Sequence, residues 1–171
     1  MNYDDIYFEL SNSSTIQGRF PNDDEFMEKI KTELSNDYAR VLLLKMEENE
    51  TKNIPVDICE VSIEHIMPQT LTEEWKNYLG GYESSDEIHT KYLQCIGNLT
   101  PVSKSYNSKM SNKLYNEKIK SLEEVQFSIT NSIPKKHLNW QEEDINKRNE
   151  KMSKLAVKST TSPLERSRPI R

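Results

Sequence analysis

The chain has 171 residues, enough for one domain with a hydrophobic core and too few for two domains of ordinary size. Hydrophobic residues make up 34% and charged residues 30%, a composition that excludes a chain disordered throughout. The formal net charge of −5 excludes a global polycation, so binding to nucleic acid would require a local basic surface. We find no secretory leader and no membrane-length apolar run, and therefore expect a cytoplasmic protein without membrane contact.

The first predicted elements are two helices joined by a short turn. Asn22 is placed to cap the first helix, with Glu25 three residues later and apolar residues following at intervals of four. The second helix covers about residues 37–50, and its apolar centre at 41–44 makes it apolar nearly all round, so we expect it to be the buried member of the pair. A helical hairpin explains this pattern, and we assign no functional residue to it.

Two short strands separated by an insertion come next. Residues 56–66 are rich in β-branched side chains and stop just before Pro68, and residues 96–102 form the second predicted strand. The insertion carries two short helical patterns, a capped turn that starts at Thr72 and a segment at 86–93. These patterns predict a small sheet with helices around it.

The last third of the chain is predicted to be mostly helical. A polar helix covers 105–120, and residues 127–133 fit either a strand or a short helix. Asn139 is placed to cap a final helix with one apolar face. Residues 159–171 have no periodicity and are predicted to be a disordered tail.

Chemically informative side chains cluster around the two predicted strands. Glu64 and His65 stand side by side at the end of the first strand, Asn98 opens the second, and Asn107 lies in the following helix. An imidazole is a suitable general base near neutral pH, while carboxylate and amide oxygens suit a hard cation. Neighbours on a strand point to opposite faces, so Glu64 and His65 can share a site only where the strand ends, as Pro68 indicates.

The motifs at residues 63–69 and 96–100, followed by Asn107, resemble those of the HNH (ββα-metal) nucleases. Such domains, including that of RNA-guided CRISPR effectors, carry acid-His-Ile-x-Pro-Gln and then two asparagines nine residues apart, as here. The two motifs, Ile-Glu-His-Ile-Met-Pro-Gln and Ile-Gly-Asn-Leu-Thr, resemble even more closely those of the C-terminal nuclease domain of GmrSD-type modification-dependent restriction endonucleases. This resemblance covers roughly residues 20–157.

The resemblance implies an α+β fold, a mostly helical domain around a ββα-metal (HNH) module. It implies metal-dependent cleavage of DNA phosphodiester bonds in restriction or phage defence, leaving a 5′-phosphate, with one Mg²⁺ or Mn²⁺ ion as cofactor. His65 would be the general base, Glu64 and Asn107 the metal ligands, and Asn98 the residue that braces the loop and orients the histidine. The residues expected to face the DNA backbone are Lys104, Lys109, Asn112, Lys113 and Lys118.

The resemblance also implies a partner and an internal organisation. Full-length relatives carry an N-terminal nucleotide-hydrolysing domain, and this chain has no phosphate-cradling Gly-Lys-Ser/Thr loop, so we expect such a domain or subunit as a partner. We expect residues 1–55 to be a helical segment packing on the nuclease core and 56–125 to be the ββα-metal module. Residues 126–158 would be a closing segment with the C-terminal helix, and 159–171 the tail.

Several alternatives stay open from the sequence. Glu64 stands where better-studied relatives have Asp, and Pro101 weakens the second strand, so a catalytically inactive nucleic-acid-binding or scaffolding domain is a second hypothesis. The Arg-rich end of the chain suggests a third, a truncated remnant of low stability. Asn112 is an alternative metal ligand to Asn107, and His89 fits a packing role better than a ligand role.

Overall fold

The computed structural model describes residues 22–52 and 60–160. The beginning of the predicted first strand and almost all of the predicted tail lie outside these ranges. Within them no helix has the length and apolar character needed to cross a membrane. The helices are α1 (Asp23–Thr32), α2 (Asn36–Thr51), α3 (Glu73–Tyr78), α4 (Tyr82–Tyr92), α5 (Lys104–Met110), α6 (Tyr115–Glu124), α7 (Ser128–Asn131), α8 (Ile133–Lys136) and α9 (Glu142–Thr160), and the strands are β1 (Val61–His65) and β2 (Leu99–Ser103).

The two strands form a small antiparallel sheet in which His65 faces Leu99 and Val61 faces Ser103. Helix α5 follows β2 directly, with Ser103 as its N-cap, so the order along this part of the chain is strand, strand, helix. Helices make up most of the described residues. The predicted α+β class is therefore confirmed.

The N-terminal helical hairpin forms as predicted. The Asn22 side chain accepts a hydrogen bond from the Glu25 backbone, and Glu25 returns one, which completes a capping box. In α2, Leu43 and Met46 are fully buried, but Val41 is 67% exposed. The prediction that α2 is the buried member of the pair is confirmed, since six of its residues are buried against one in α1, although one side of α2 faces solvent.

The predicted polar helix at 105–120 is two helices. Helix α5 ends at Met110, and Ser111 adopts a positive φ of 44°, which an uninterrupted helix does not allow. Helix α6 starts only at Tyr115. The second strand also begins later than predicted, since residues 96–98 form a turn ahead of β2. The short polar residues around 111–113 permit the break that sequence periodicity did not indicate.

Helix α9 holds this turn from the other side of the core. A Cβ atom on Gly97 would lie 2.7 Å from the Ile145 carbonyl oxygen, so the approach requires glycine. The buried Arg148 guanidinium donates to the carbonyl groups of Ile96, Gly97 and Leu99. The helix starts at Glu142, three residues after the predicted cap at Asn139.

Helix α2 is joined to the segment after α6 by a buried carboxylate. Glu47 accepts hydrogen bonds from the backbone N–H groups of Ser128 and Ile129 at 2.7 and 2.9 Å. These two N–H groups lie at the start of α7, where the helix itself offers them no acceptor. The Glu47 carboxylate therefore satisfies both donors. The region 127–133, for which strand and helix were both open, is the two short helices α7 and α8.

Candidate active site

A cleft of ≈ 370 Å³ opens between the start of α2, the strand β1 and the helix α5. Strand β1 and the two helices all contribute residues to its lining. Because β1 ends at His65, two neighbouring strand residues both reach this cleft. The residues lining it are Asn36, Arg40, Ser62, Ile63, Glu64, His65, Pro68, Gln69, Asn107, Ser108, Ser111 and Asn112.

His65 is 6% exposed and held by one hydrogen bond. Its Nε2 lies 3.3 Å from the side-chain oxygen of Gln94. An amide oxygen can only accept, so Nε2 carries the proton and Nδ1 keeps the lone pair. Nδ1 has no hydrogen-bond partner among the described residues. Burial lowers the pKa of His65, which keeps the ring neutral at pH 7 and able to accept a proton.

Asn107 turns its amide nitrogen toward the strand. The Nδ2 group donates to the Ile63 carbonyl oxygen at 2.9 Å and to the Ser62 hydroxyl oxygen at 2.5 Å. Both acceptors belong to the strand that carries the predicted base. With both amide protons used in this way, the oxygen Oδ1 has no partner within the described ranges. Asn107 can therefore offer an oxygen ligand beside Glu64.

Glu64 is buried and paired with a lysine from α6. The Lys118 ammonium lies 2.6 Å from Glu64 Oε1 and also donates to the carbonyl oxygens of His65 and Ile66, both at 3.0 Å. Burial raises the pKa of Glu64 to about 7, against the attraction of the ammonium. With three good acceptors around Lys118, we regard the pair as ionised. The second carboxylate oxygen, Oε2, has no partner in the described part of the chain.

Asn98 braces the loop that follows β1. Its Oδ1 accepts from the Met67 backbone N–H and from the Trp140 indole, and its Nδ2 donates to the Met67 and Leu93 carbonyl oxygens. The two contacts with Met67 hold the segment that leads away from His65, and the other two tie Asn98 to Trp140 and Leu93. The Asn98 side chain is fully buried and does not line the cleft.

The family model described as GmrSD restriction endonucleases, C-terminal domain, matches residues 20–155. The chain belongs to this family. The matched range contains every residue that lines the cleft. No curated protein matches the chain.

Of the five residues expected to contact DNA in this GmrSD-type C-terminal domain, Asn112 lines the cleft. Lys104 and Lys109 point toward acidic side chains on the surface, at 3.9 Å from Glu60 and 3.4 Å from Glu124. The exposed Lys113 lies outside the cleft wall.

Lys118 does not lie on the exposed helix surface, where a phosphate contact was expected. Its side chain is 0% exposed, in the ion pair beneath the cleft. Its ammonium group is therefore unavailable to a phosphate in this structure, and its visible role is to hold the end of β1. Helix α6 passes beneath the end of β1 and so brings Lys118 next to Glu64, an arrangement that the sequence did not predict.

Sequence reasoning missed Arg40 and Gln94. Arg40 lies on α2, in the helical hairpin to which no functional residue was assigned. Gln94 follows α4 with no motif around it. The packing interpretation fits His89, whose Nε2 lies 3.0 Å from the Pro68 carbonyl oxygen, and the fully buried Trp75 and Trp140.

Proposed function

We propose that this domain is an HNH-type nuclease that hydrolyses DNA phosphodiester bonds with one divalent cation. The observation that carries the proposal is that His65, Glu64 and Asn107 line one cleft. Each of them has an atom suited to its role and without a partner in the described residues: Nδ1, Oε2 and Oδ1. Residues far apart along the chain thus supply a base and two oxygen ligands.

The donors fit a hard cation such as Mg²⁺ or Mn²⁺. No three His, Cys, Asp or Glu side chains form a metal cluster within residues 22–52 and 60–160. One carboxylate oxygen of Glu64 and the amide oxygen of Asn107 agree with the preference of Mg²⁺ for few protein ligands, with water and phosphate completing the shell. When bound, the ion would neutralise charge on the phosphate and on the departing oxygen.

His65 would take the proton of the attacking water at Nδ1. Gln94 would hold the tautomer that leaves this nitrogen free, and Gln94 is itself fixed because its backbone carbonyl accepts from Leu34 N–H at 2.8 Å. Asn98 would keep the loop after His65 in place. In this scheme Gln94 and Asn98 are positioning residues.

DNA would lie across the cleft, with Asn112 inside it and Lys104, Lys109 and Lys113 beside it as contacts to the backbone. By analogy with the family, we expect the N-terminal nucleotide-hydrolysing domain or subunit to act with this domain, and foreign DNA in the cytoplasm, modified or unmodified, to be the substrate.

Plasmid nicking tests the metal site. We expect the unaltered chain to nick supercoiled DNA with Mg²⁺ or Mn²⁺ and to stop when EDTA is added. Asn107→Ala should lower activity at limiting Mg²⁺ by about 10- to 100-fold, because a ligand is lost. Ser108→Ala is the matched control: it lines the same cleft, but its hydroxyl bonds to the Lys104 carbonyl within its own helix.

Equal dependence on Mg²⁺ in the Asn107 and Ser108 variants would remove Asn107 as a ligand, and a loss confined to Asn112→Ala would transfer that role to Asn112. Absence of nicking by the unaltered chain, with DNA binding retained, would favour the catalytically inactive binding domain. That alternative is supported by one observation, the engagement of Glu64 Oε1 by Lys118.

The pH dependence of nicking tests Gln94. At saturating Mg²⁺, the rate should fall on acidification through the pKa of His65, which burial places below its usual 6.5. The Gln94 hydrogen bond raises this pKa. Gln94→Met should therefore move the acid limb to lower pH and reduce the plateau rate, whereas Gln94→Glu should move the limb to higher pH. Unchanged profiles in both variants would show that Gln94 does not act through His65.

A further inference from the structure

Arg40 is a cation on α2 that lines the same cleft as Asn107. It lies on α2, one helical turn after Asn36, so the two side chains share the face of the helix that borders the cleft. The lysines 104, 109 and 113 lie outside the lining, and Lys118 is neutralised by Glu64. Among the described residues, Arg40 is thus the permanently charged cation that borders the cleft.

The guanidinium of Arg40 is incompletely paired. Its Nε atom is buried and has no hydrogen-bond partner within the described residues. Its Nη1 atom lies 3.5 Å from Asp37, whose side chain is 91% exposed, and such exposed pairs contribute little to stability. A buried donor without an acceptor is unfavourable, so a ligand that brings an acceptor would remove this cost.

The position of Arg40 is fixed by the helix that carries it. Leu43 and Met46 of α2 are fully buried, and Glu47 bonds to the start of α7. At the cleft, Asn36 has a buried Oδ1 without a partner in the described ranges, so it can turn either end of its amide toward a ligand or a bridging water. The planar guanidinium group of Arg40, with its forked N–H donors, is carried by a rigid helix and suits a ligand with two adjacent oxygens.

We infer that Arg40 binds a phosphate of the DNA backbone and sets the path of the strand through the cleft. The guanidinium would donate to the non-bridging oxygens of that phosphate, while Glu64, His65 and Asn107 of the same cleft act on the reacting phosphate. The inference rests on the proposed function for the identity of the ligand. It assigns the N-terminal helical hairpin a direct part in substrate binding.

Binding measurements test this inference independently of cleavage. The full 171-residue chain with His65→Ala, which is not expected to cleave, is titrated onto a short fluorescent DNA duplex with Mg²⁺ at several salt concentrations. Adding Arg40→Ala should weaken binding by about tenfold and reduce the slope of log K against log salt by about one. Arg40→Lys should restore the slope but not the full affinity, because it keeps the charge and loses the fork.

Lys45→Ala is the matched control. It removes one positive charge from the same helix, but Lys45 lies outside the cleft and pairs with Glu48 at 2.8 Å. Its binding and salt slope should equal those of the parent, and thermal melts confirm that each variant is folded. Equal losses in the Arg40 and Lys45 variants, or no binding by the parent, would overturn the inference. Suppose that the unaltered chain binds DNA without nicking it and that only the Arg40 variants lose affinity. The phosphate site at Arg40 then stands, and the proposed hydrolysis is rejected.

Discussion

Replacing His65 with alanine is expected to lower the rate of DNA nicking by about 10²- to 10⁴-fold, the usual contribution of a general base. The ring is neutral at pH 7 because burial lowers its pKa, and its Nδ1 has no partner among the described residues. The measurement is a single-turnover rate at saturating protein and Mg²⁺, which separates chemistry from product release.

Two controls accompany this variant. DNA binding by His65→Ala should equal that of the unaltered chain, since the ring acts on water and not on the strand. Ser108→Ala should retain the full rate, although it borders the same cleft. A His65 variant that nicks DNA as fast as the Ser108 variant would remove the histidine from the mechanism.

Replacing Lys118 with methionine is expected to destabilise the fold by about 3–5 kcal/mol, the typical cost of leaving a buried partner charge uncompensated. The side chain is 0% exposed, and its loss deprives Glu64 and the carbonyl groups of His65 and Ile66 of their donor. Urea unfolding measures this change. Lys120→Met removes the same group from an exposed position on α6 and should change stability by less than about 0.5 kcal/mol.

The pH dependence gives the Lys118 variant a specific signature. Without the ammonium, the pKa of Glu64 should rise above its value of about 7, so the folded variant should hold a proton, which the unfolded state releases, up to a higher pH than the unaltered chain does. Stability therefore falls as the pH rises from the ordinary carboxyl range through the raised pKa. The double variant Lys118→Met with Glu64→Gln should lose this pH dependence and be more stable than Lys118→Met alone. If the loss of stability in Lys118→Met is the same at every pH, Glu64 is not ionised in the native protein.

Local patterns in the sequence predicted much of the fold. The Asn22 and Glu25 capping box, the Thr72 cap and the two strands were predictable because each depends on residues within a few positions of one another. The break at Ser111 was not, because the apolar spacing of α5 continues into α6 and no glycine or proline marks the interruption. Here the path of the chain is determined by packing against β1.

The site divides in the same way. Glu64 and His65 are neighbours in the sequence, and the spacing between Asn98 and Asn107 is typical of a known motif. The partners that tune these residues come from remote elements. The resemblance implied that Lys118 faces the DNA backbone, but α6 turns that side chain under the strand end. Arg40 reaches the cleft only because α2 packs beside β1, a contact that no local pattern encodes.

The central claim is that Glu64 and Asn107 hold one cation beside His65. The most direct test is a crystal structure of the chain soaked in Mn²⁺, with anomalous diffraction to locate the ion. We predict one strong peak in the cleft at about 2.0–2.3 Å from an oxygen of Glu64 and from Asn107 Oδ1, the range of hard-cation coordination. A saturated ion bound elsewhere, or a cleft without a peak at Mn²⁺ concentrations that support nicking, would contradict the claim.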